Sequence, residues 1–146
     1  MKLQSAFANR LAFHDGTRSD PLAIQLNYDD GSRLLLRCGG DGAGLIVDDR
    51  ALDASADLGE YGRLVEEDVT QAICSDMVGR DIATVATLKM GAVRVGVQLT
   101  APTGEVLCIW NYGDALHWGD AVALARCDWA APLRLSCAID GFSSAS

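Results

Sequence analysis

The chain has 146 residues, of which 49% are apolar and 22% charged, a balance that excludes an intrinsically disordered segment and suits one folded domain. Twenty acids stand against twelve Lys and Arg, giving a net charge of −8. That charge argues against nucleic acid or an anionic membrane, which reward clustered basic residues, and suits a cationic partner steered in by the field.

Met1 and Lys2 lead into Leu3–Ala8, LQSAFA, which is too short and too polar for the core of a secretory leader. No run approaches the ~18 apolar residues of a membrane span. Five cysteines (Cys38, Cys74, Cys108, Cys127, Cys137) are widely spaced, odd in number and without a C-x-x-C pair. They read as reduced, buried thiols of a cytoplasmic protein. Neither they nor His14 and His117 fall at metal-ligand spacing, so no metal and no cofactor is expected.

His14-Asp15-Gly16 marks a surface turn. Ala23–Tyr28 and Arg33–Cys38 alternate around Asp30-Gly31, a hairpin signal, because glycine accepts the positive φ of a tight turn. Gly39-Gly40-Asp41-Gly42-Ala43-Gly44 follows, then a third strand at Leu45–Val47. This loop lacks the G-x-G-x-x-G order and the helix that a phosphate loop needs, and Gly44 stands where a calcium nonapeptide needs its Asp. It reads as a tight connection between strands.

Residues 41–68 hold nine acids (Asp41, Asp48, Asp49, Asp53, Asp57, Glu60, Glu66, Glu67, Asp68) against Arg50 and Arg63, so −7 of the net −8 lies there. The plain reading is a solvated loop at 51–59; the functional one is an acidic face for a basic protein. Gly62–Glu66 reads as a strand. Asp68 and Gln71 resemble a capping box, and Val69, Ala72, Ile73 and Met77 keep helical spacing up to Gly79, which predicts one short helix over 69–78.

Residues 81–88 read as a strand. Val93–Leu99 and Glu105–Asn111 form a second alternating pair around Pro102 and Gly104. Asp114–Trp118 reads as the next strand, and 121–126 and 133–139 as two more.

A shift of 73 residues carries Leu26 onto Leu99, Gly31 onto Gly104, Leu34 onto Leu107, Gly40 onto Gly113 and Asp41 onto Asp114. The matched turns and apolar phase read as a diverged internal duplication. The expected architecture is mainly β: two related antiparallel three-stranded meanders, about 1–50 and 79–139. They share one sandwich or barrel-like core and are joined by the acidic connector with its short helix.

Cys108 to Asp120 holds Trp110, Asn111, Tyr112, Asp114, His117, Trp118 and Asp120. An enzyme would use Cys108 as nucleophile and His117 as base, but no nucleophile signature surrounds them. On a strand, Leu116 and Trp118 share the core face while His117 turns away. Trp110, Tyr112 and His117 are rigid and amphipathic, types favoured at binding hot spots.

The run Trp110-Asn111-Tyr112-Gly113-Asp114-Ala115-Leu116, after alternating strands, resembles small β-rich bacterial proteins of unassigned function, some similar to immunity proteins encoded beside polymorphic toxins. The resemblance covers about 79–118 and, more weakly, the first unit, where Cys38 and Gly39 replace Asn111 and Tyr112. It implies a cytoplasmic, non-enzymatic protein that grips a cognate toxin. The expected contacts are Asp48, Asp49, Asp53, Asp57, Glu60, Glu66, Glu67 and Asp68, with Trp110, Tyr112 and His117 second. Two alternatives stand beside it: a small-molecule binder or enzyme with a site near Trp110, Asp114 and His117, and a self-associating module that pairs two copies through sheet edges.

Overall fold

A computed structural model of the chain describes residues 1–40, 42–52, 56–129 and 132–138. In chain order the elements are β1 (Leu3–Ala12), β2 (Ala23–Tyr28), β3 (Arg33–Cys38), β4 (Leu45–Asp48), β5 (Ala56–Asp57), a 3-10 turn (Gly59–Tyr61), β6 (Arg63–Asp68), α1 (Thr70–Cys74), β7 (Thr84–Met90), β8 (Val93–Thr100), β9 (Val106–Asn111), β10 (Leu116–Gly119), α2 (Ala121–Ala125) and β11 (Leu133–Ala138). Two sheets form, in the orders β4-β3-β2-β1-β6-β5 and β10-β9-β8-β7-β11, and the pairs of named strands are antiparallel. The fold is a β-sandwich rather than a closed barrel.

Alternation explains the packing. Ile24 and Leu26 on β2, Leu34 and Leu36 on β3, Val97 and Leu99 on β8, and Leu107 and Ile109 on β9 point inward and fuse into one apolar cluster with Ala6 and Ala8 of β1 and Ile73 of α1. A second cluster (Leu88, Val95, Cys108, Trp110, Leu124) includes the second sheet's outer face, where α2 and Trp129 cover it.

The two hairpins agree in register, not only in order. Leu26 pairs with Leu34 and Ile24 with Leu36; 73 residues later Leu99 pairs with Leu107 and Val97 with Ile109. The turns agree bond for bond. Gly31 N–H donates to Tyr28 O and Tyr28 N–H to Ser32 O, as Gly104 N–H donates to Ala101 O and Ala101 N–H to Glu105 O. Gly31 and Gly104 have φ of 86° and 99°.

Several elements differ from the sequence reading. Each meander has four strands, because β1 and β7 extend it. β1 was missed, although it lies between β2 and β6. Its inward positions are Leu3, Ala6 and Ala8; a register irregularity after Leu3 and two alanines beyond it leave no bulky alternation to read. The helix predicted over 69–78 is α-helical only at Thr70–Cys74, after which Met77 and Val78 N–H both donate to Cys74 O in a closing turn. Its N-cap is Val69 without a side-chain bond; Asp68 instead accepts from Thr70 N–H and Oγ1–H. Residues 121–126, expected as a strand, form α2, because Asp120 Oδ1 accepts from Ala123 N–H at 2.9 Å. The expected loop at 51–59 contains β5 and the start of the 3-10 turn, and Leu52 N–H donates to Gln25 Oε1 at 2.7 Å, which ties the connector to β2.

A clasp joins the sheets at one end. Asn111 Nδ2 donates to Gly44 O, Gly113 N–H donates to Gly42 O, and Asp114 Oδ1 accepts from Gly42 N–H, all at 2.8–2.9 Å. The Gly-rich loop and the Asn-x-Gly-Asp run are therefore two halves of one contact. Asp114 sits at φ 59°, a left-handed conformation that Asp and Asn tolerate better than other side chains. Asp114→Ala is expected to cost about 2–3 kcal/mol, from a lost charge-assisted bond and backbone strain, whereas Asp114→Asn keeps an acceptor and costs under about 1 kcal/mol. Urea denaturation of both variants checks the difference.

Candidate partner-binding surface

The acidic segment does not form one patch. Asp48 and Asp49 lie at β4, one edge of the first sheet, while Asp57, Glu60, Glu66, Glu67 and Asp68 lie at β5 and β6, the opposite edge. Four strand spacings, roughly 19 Å, separate β4 from β6. Asp53 falls outside the described residues, as does Asp41.

Several of these acids already have structural work. Asp48 is held by Arg37 at 3.1 Å and Arg50 at 3.5 Å. Glu67 binds Arg10 at 3.1 Å and Arg18 at 3.4 Å. Asp57 Oδ1 accepts from Gly59 N–H, and the Asp68 carboxyl is held below the usual carboxylate range by the hydroxyl and N–H of Thr70. Glu60 and Glu66 are exposed, and neither has an ion pair among the described residues. Asp49 on the far edge is exposed as well, and so are Asp57 and Asp68, whose carboxylates also accept local main-chain bonds.

Apolar side chains join Glu60 at one corner. Tyr61 is 71% exposed, Leu58 42% and Phe13 41%. The turn is closed on itself and tied to the β1–β2 loop: Leu58 N–H donates to Gly62 O at 2.8 Å, and the His14 side chain has Nε2 2.9 Å from Gly59 O. Gly62 lies so close to β1 that a Cβ on it would stand 2.3 Å from Ala12 O. Sequence reasoning noted His14 and Glu60 but passed over Phe13, Leu58 and Tyr61. For Leu58 and Tyr61, apolar residues inside an acidic stretch were the available signal; Phe13 lies outside that stretch.

The second group of expected contacts divides. Trp110 is only 3% exposed, so it offers no contact surface; it lies beneath His117, with ring centroids 6.2 Å apart at 26°. Its burial follows from its place opposite Gly96, where the missing side chain leaves room for the indole. Tyr112 is 40% exposed and half-buried His117 meets its ring edge-on. Leu116 and Trp118 pack into the main core as expected.

The groups of the enzyme alternative are each engaged elsewhere. His117 Nε2 lies 3.2 Å from Tyr112 O, Asp114 holds Gly42, and Asp120 caps α2. Cys108 is buried beside Gln98 Oε1, and burial, then Asp120, pushes its thiol up to about 11. The described cysteines Cys38, Cys74, Cys108 and Cys127 are free thiols. Among the described residues no cluster of His, Cys, Asp and Glu could hold a metal, and no helix is long and apolar enough to cross a membrane.

Burial also raises the thiols of Cys38, to about 11, and Cys74, to about 12, from the usual 9.0. The fold thus favours the neutral thiol. The stability this confers is complete below pH 9 and is lost as pH rises through 11–12. Between about pH 8 and pH 10.5, Cys74 alone should remove about 2 kcal/mol. Urea midpoints at the two pH values check this, with Cys74→Val showing a smaller fall.

Searches of protein families, of curated proteins and of solved structures find nothing that matches this chain.

Proposed function

We propose that this β-sandwich is a non-enzymatic binding protein of the immunity type, which grips a basic protein partner at the corner built from the β1–β2 loop, the 3-10 turn and β6. The observation that carries the reading is Tyr61. A tyrosine exposed over most of its surface, on a short turn that also carries exposed Leu58 and lies against the end of β1 beside exposed Phe13, costs little ordering on binding and is a common hot-spot type. Glu60 and Glu66 supply negative charge without an internal cation to neutralise it, and the net charge of −8 reinforces their field. Toxins that act on nucleic acid are commonly basic, and occlusion of such a surface needs no chemistry from the inhibitor.

The test is co-expression with the basic product of the adjacent gene. The pair should co-purify, and Tyr61→Ala should weaken binding at least about thirtyfold, the effect of a central anchor. Co-purification that survives Tyr61→Ala, Leu58→Ala and Phe13→Ala together excludes the corner as the contact.

A further inference from the structure

We propose that a row of three cations on the second sheet, Arg94, Lys89 and Arg134, binds a diphosphate group. The row lies on β8, β7 and β11, apart from the acidic corner of the first sheet.

Register makes the row. Arg134 pairs with Lys89 across β11 and β7, and Lys89 pairs with Arg94 across β7 and β8. Cross-strand partners share a face with their Cβ atoms about 5 Å apart, so three positive side chains stand side by side over about 10 Å. An irregularity sets the second pair. Leu88 pairs with Gly96, so unbroken register would put Val95 opposite Lys89; a one-residue slip puts Arg94 there instead. The displaced Val95 joins the cluster under α2, with Leu88 and Trp110. Bulges of this kind re-aim side chains, and this one brings Arg94 to the face of Lys89. Met90 and Leu133, the chain neighbours of Lys89 and Arg134, pack against the cluster on the other face.

The arrangement works against stability, because like charges directly opposite repel. None of the three cations has an ion pair or a side-chain hydrogen bond among the described residues, although the chain carries twenty acids. Arg10, Arg18, Arg37, Arg50 and Arg80, by contrast, are each held by a carboxylate. Protection of a free sheet edge explains Arg134, which is exposed on edge strand β11. It does not explain Lys89 and Arg94, which lie half-buried on interior strands. An anion laid across the row removes the repulsion.

The heads define the anion. Two guanidinium forks flank one ammonium; a fork pairs with two phosphate oxygens at once, and an ammonium acts as a point charge. A diphosphate offers one phosphate to each fork and its bridge to the ammonium between them. A monocarboxylate neutralises one cation of the three. A long polyanion such as nucleic acid would run from the row over a molecule of net charge −8, whereas a diphosphate stays within about one Debye length of the row.

The full chain is titrated with pyrophosphate, and with sulfate, citrate and acetate as controls, while the Nε–H groups of Arg94 and Arg134 are followed by NMR. Saturable shifts at both groups are expected with pyrophosphate, about tenfold weaker binding with sulfate and citrate, and none with acetate. Arg94→Gln and Lys89→Gln should each weaken pyrophosphate binding about tenfold or more, while Arg126→Gln, at the end of α2 on the opposite face, should leave it within about twofold of the native value. A second readout separates a site from a structural charge. Without ligand, Arg94→Gln should unfold at the native urea midpoint or above it, because repulsion is relieved. Pyrophosphate should raise the midpoint of the native chain and not that of the variant. ADP that binds more tightly than pyrophosphate identifies a nucleotide as the source of the group; equal binding identifies the diphosphate alone. Absence of saturable shifts, equal binding of citrate, equal weakening by Arg126→Gln, or tighter binding of a single-stranded oligonucleotide overturns the proposal.

Discussion

Gly62→Ala should lower stability by about 3–5 kcal/mol, the largest single effect expected in this chain. Two costs add. Gly62 has φ 100° and ψ −149°, a region essentially reserved for glycine, where another residue costs about 1–3 kcal/mol. A methyl group there would also lie 2.3 Å from Ala12 O and 3.3 Å from Phe13 Cα, both main-chain atoms. Neither retreats without disturbing the pairing of Ala12 with Arg63 at the end of β1 and β6. Overpacking of this kind adds about 1–3 kcal/mol. The melting temperature should fall by about 10 °C, and the Leu58 amide, bonded to Gly62 O, should lose hydrogen-exchange protection. The same change should disable the proposed binding corner, because it prises the 3-10 turn away from β1.

Gly96→Val is expected to cost about 3 kcal/mol or more for a different reason. The position carries no positive φ; it lacks space. A Cβ on Gly96 would stand 2.6 Å from Ile109 O, 2.9 Å from Trp110 Cβ and 3.0 Å from Leu88 Cδ1. Gly96 sits on β8 opposite Trp110 on β9 and Leu88 on β7, so it is flanked by large side chains on both sides. Relief requires shifting Ile109, whose pairing with Val97 lies in the main core. Such strain in a packed interior is a recognised large-effect mechanism. Chemical denaturation should show a lower midpoint with an unchanged slope if only the native state is strained. Displacement of Trp110 should also change the stacking of His117, which the His117 ring resonances report.

The legible parts of the fold were those where bulky alternation met a glycine turn. Ile24, Leu26, Leu34 and Leu36 around Gly31, and Val97, Leu99, Leu107 and Ile109 around Gly104, gave away both hairpins and their shared register. β1 hid because beyond Leu3 its inward face is carried by Ala6 and Ala8, so its place was set by tertiary packing rather than by its own pattern. α2 hid because Ala121–Ala125 has no polar face; Asp120, three residues before Ala123, was the local cue. The Asn-x-Gly-Asp run was singled out as unusual, but its role as a clasp required knowing that Gly42 and Gly44, about 70 residues earlier, fold back against it. Charge counting overreached in treating residues 41–68 as one surface. A strand order that places β4 and β6 four strands apart cannot be read from composition, nor can the arginines that occupy Asp48 and Glu67.

The partner-binding account is tested most directly by the association rate with the adjacent-gene product as a function of salt. Glu60→Lys/Glu66→Lys should slow association about tenfold at low ionic strength and much less at high, while Asp49→Lys, on the far edge, should leave the rate within about twofold of the native value. Equal slowing by both variants, or no slowing by the double variant at any salt concentration, would contradict a corner that steers and grips a basic protein.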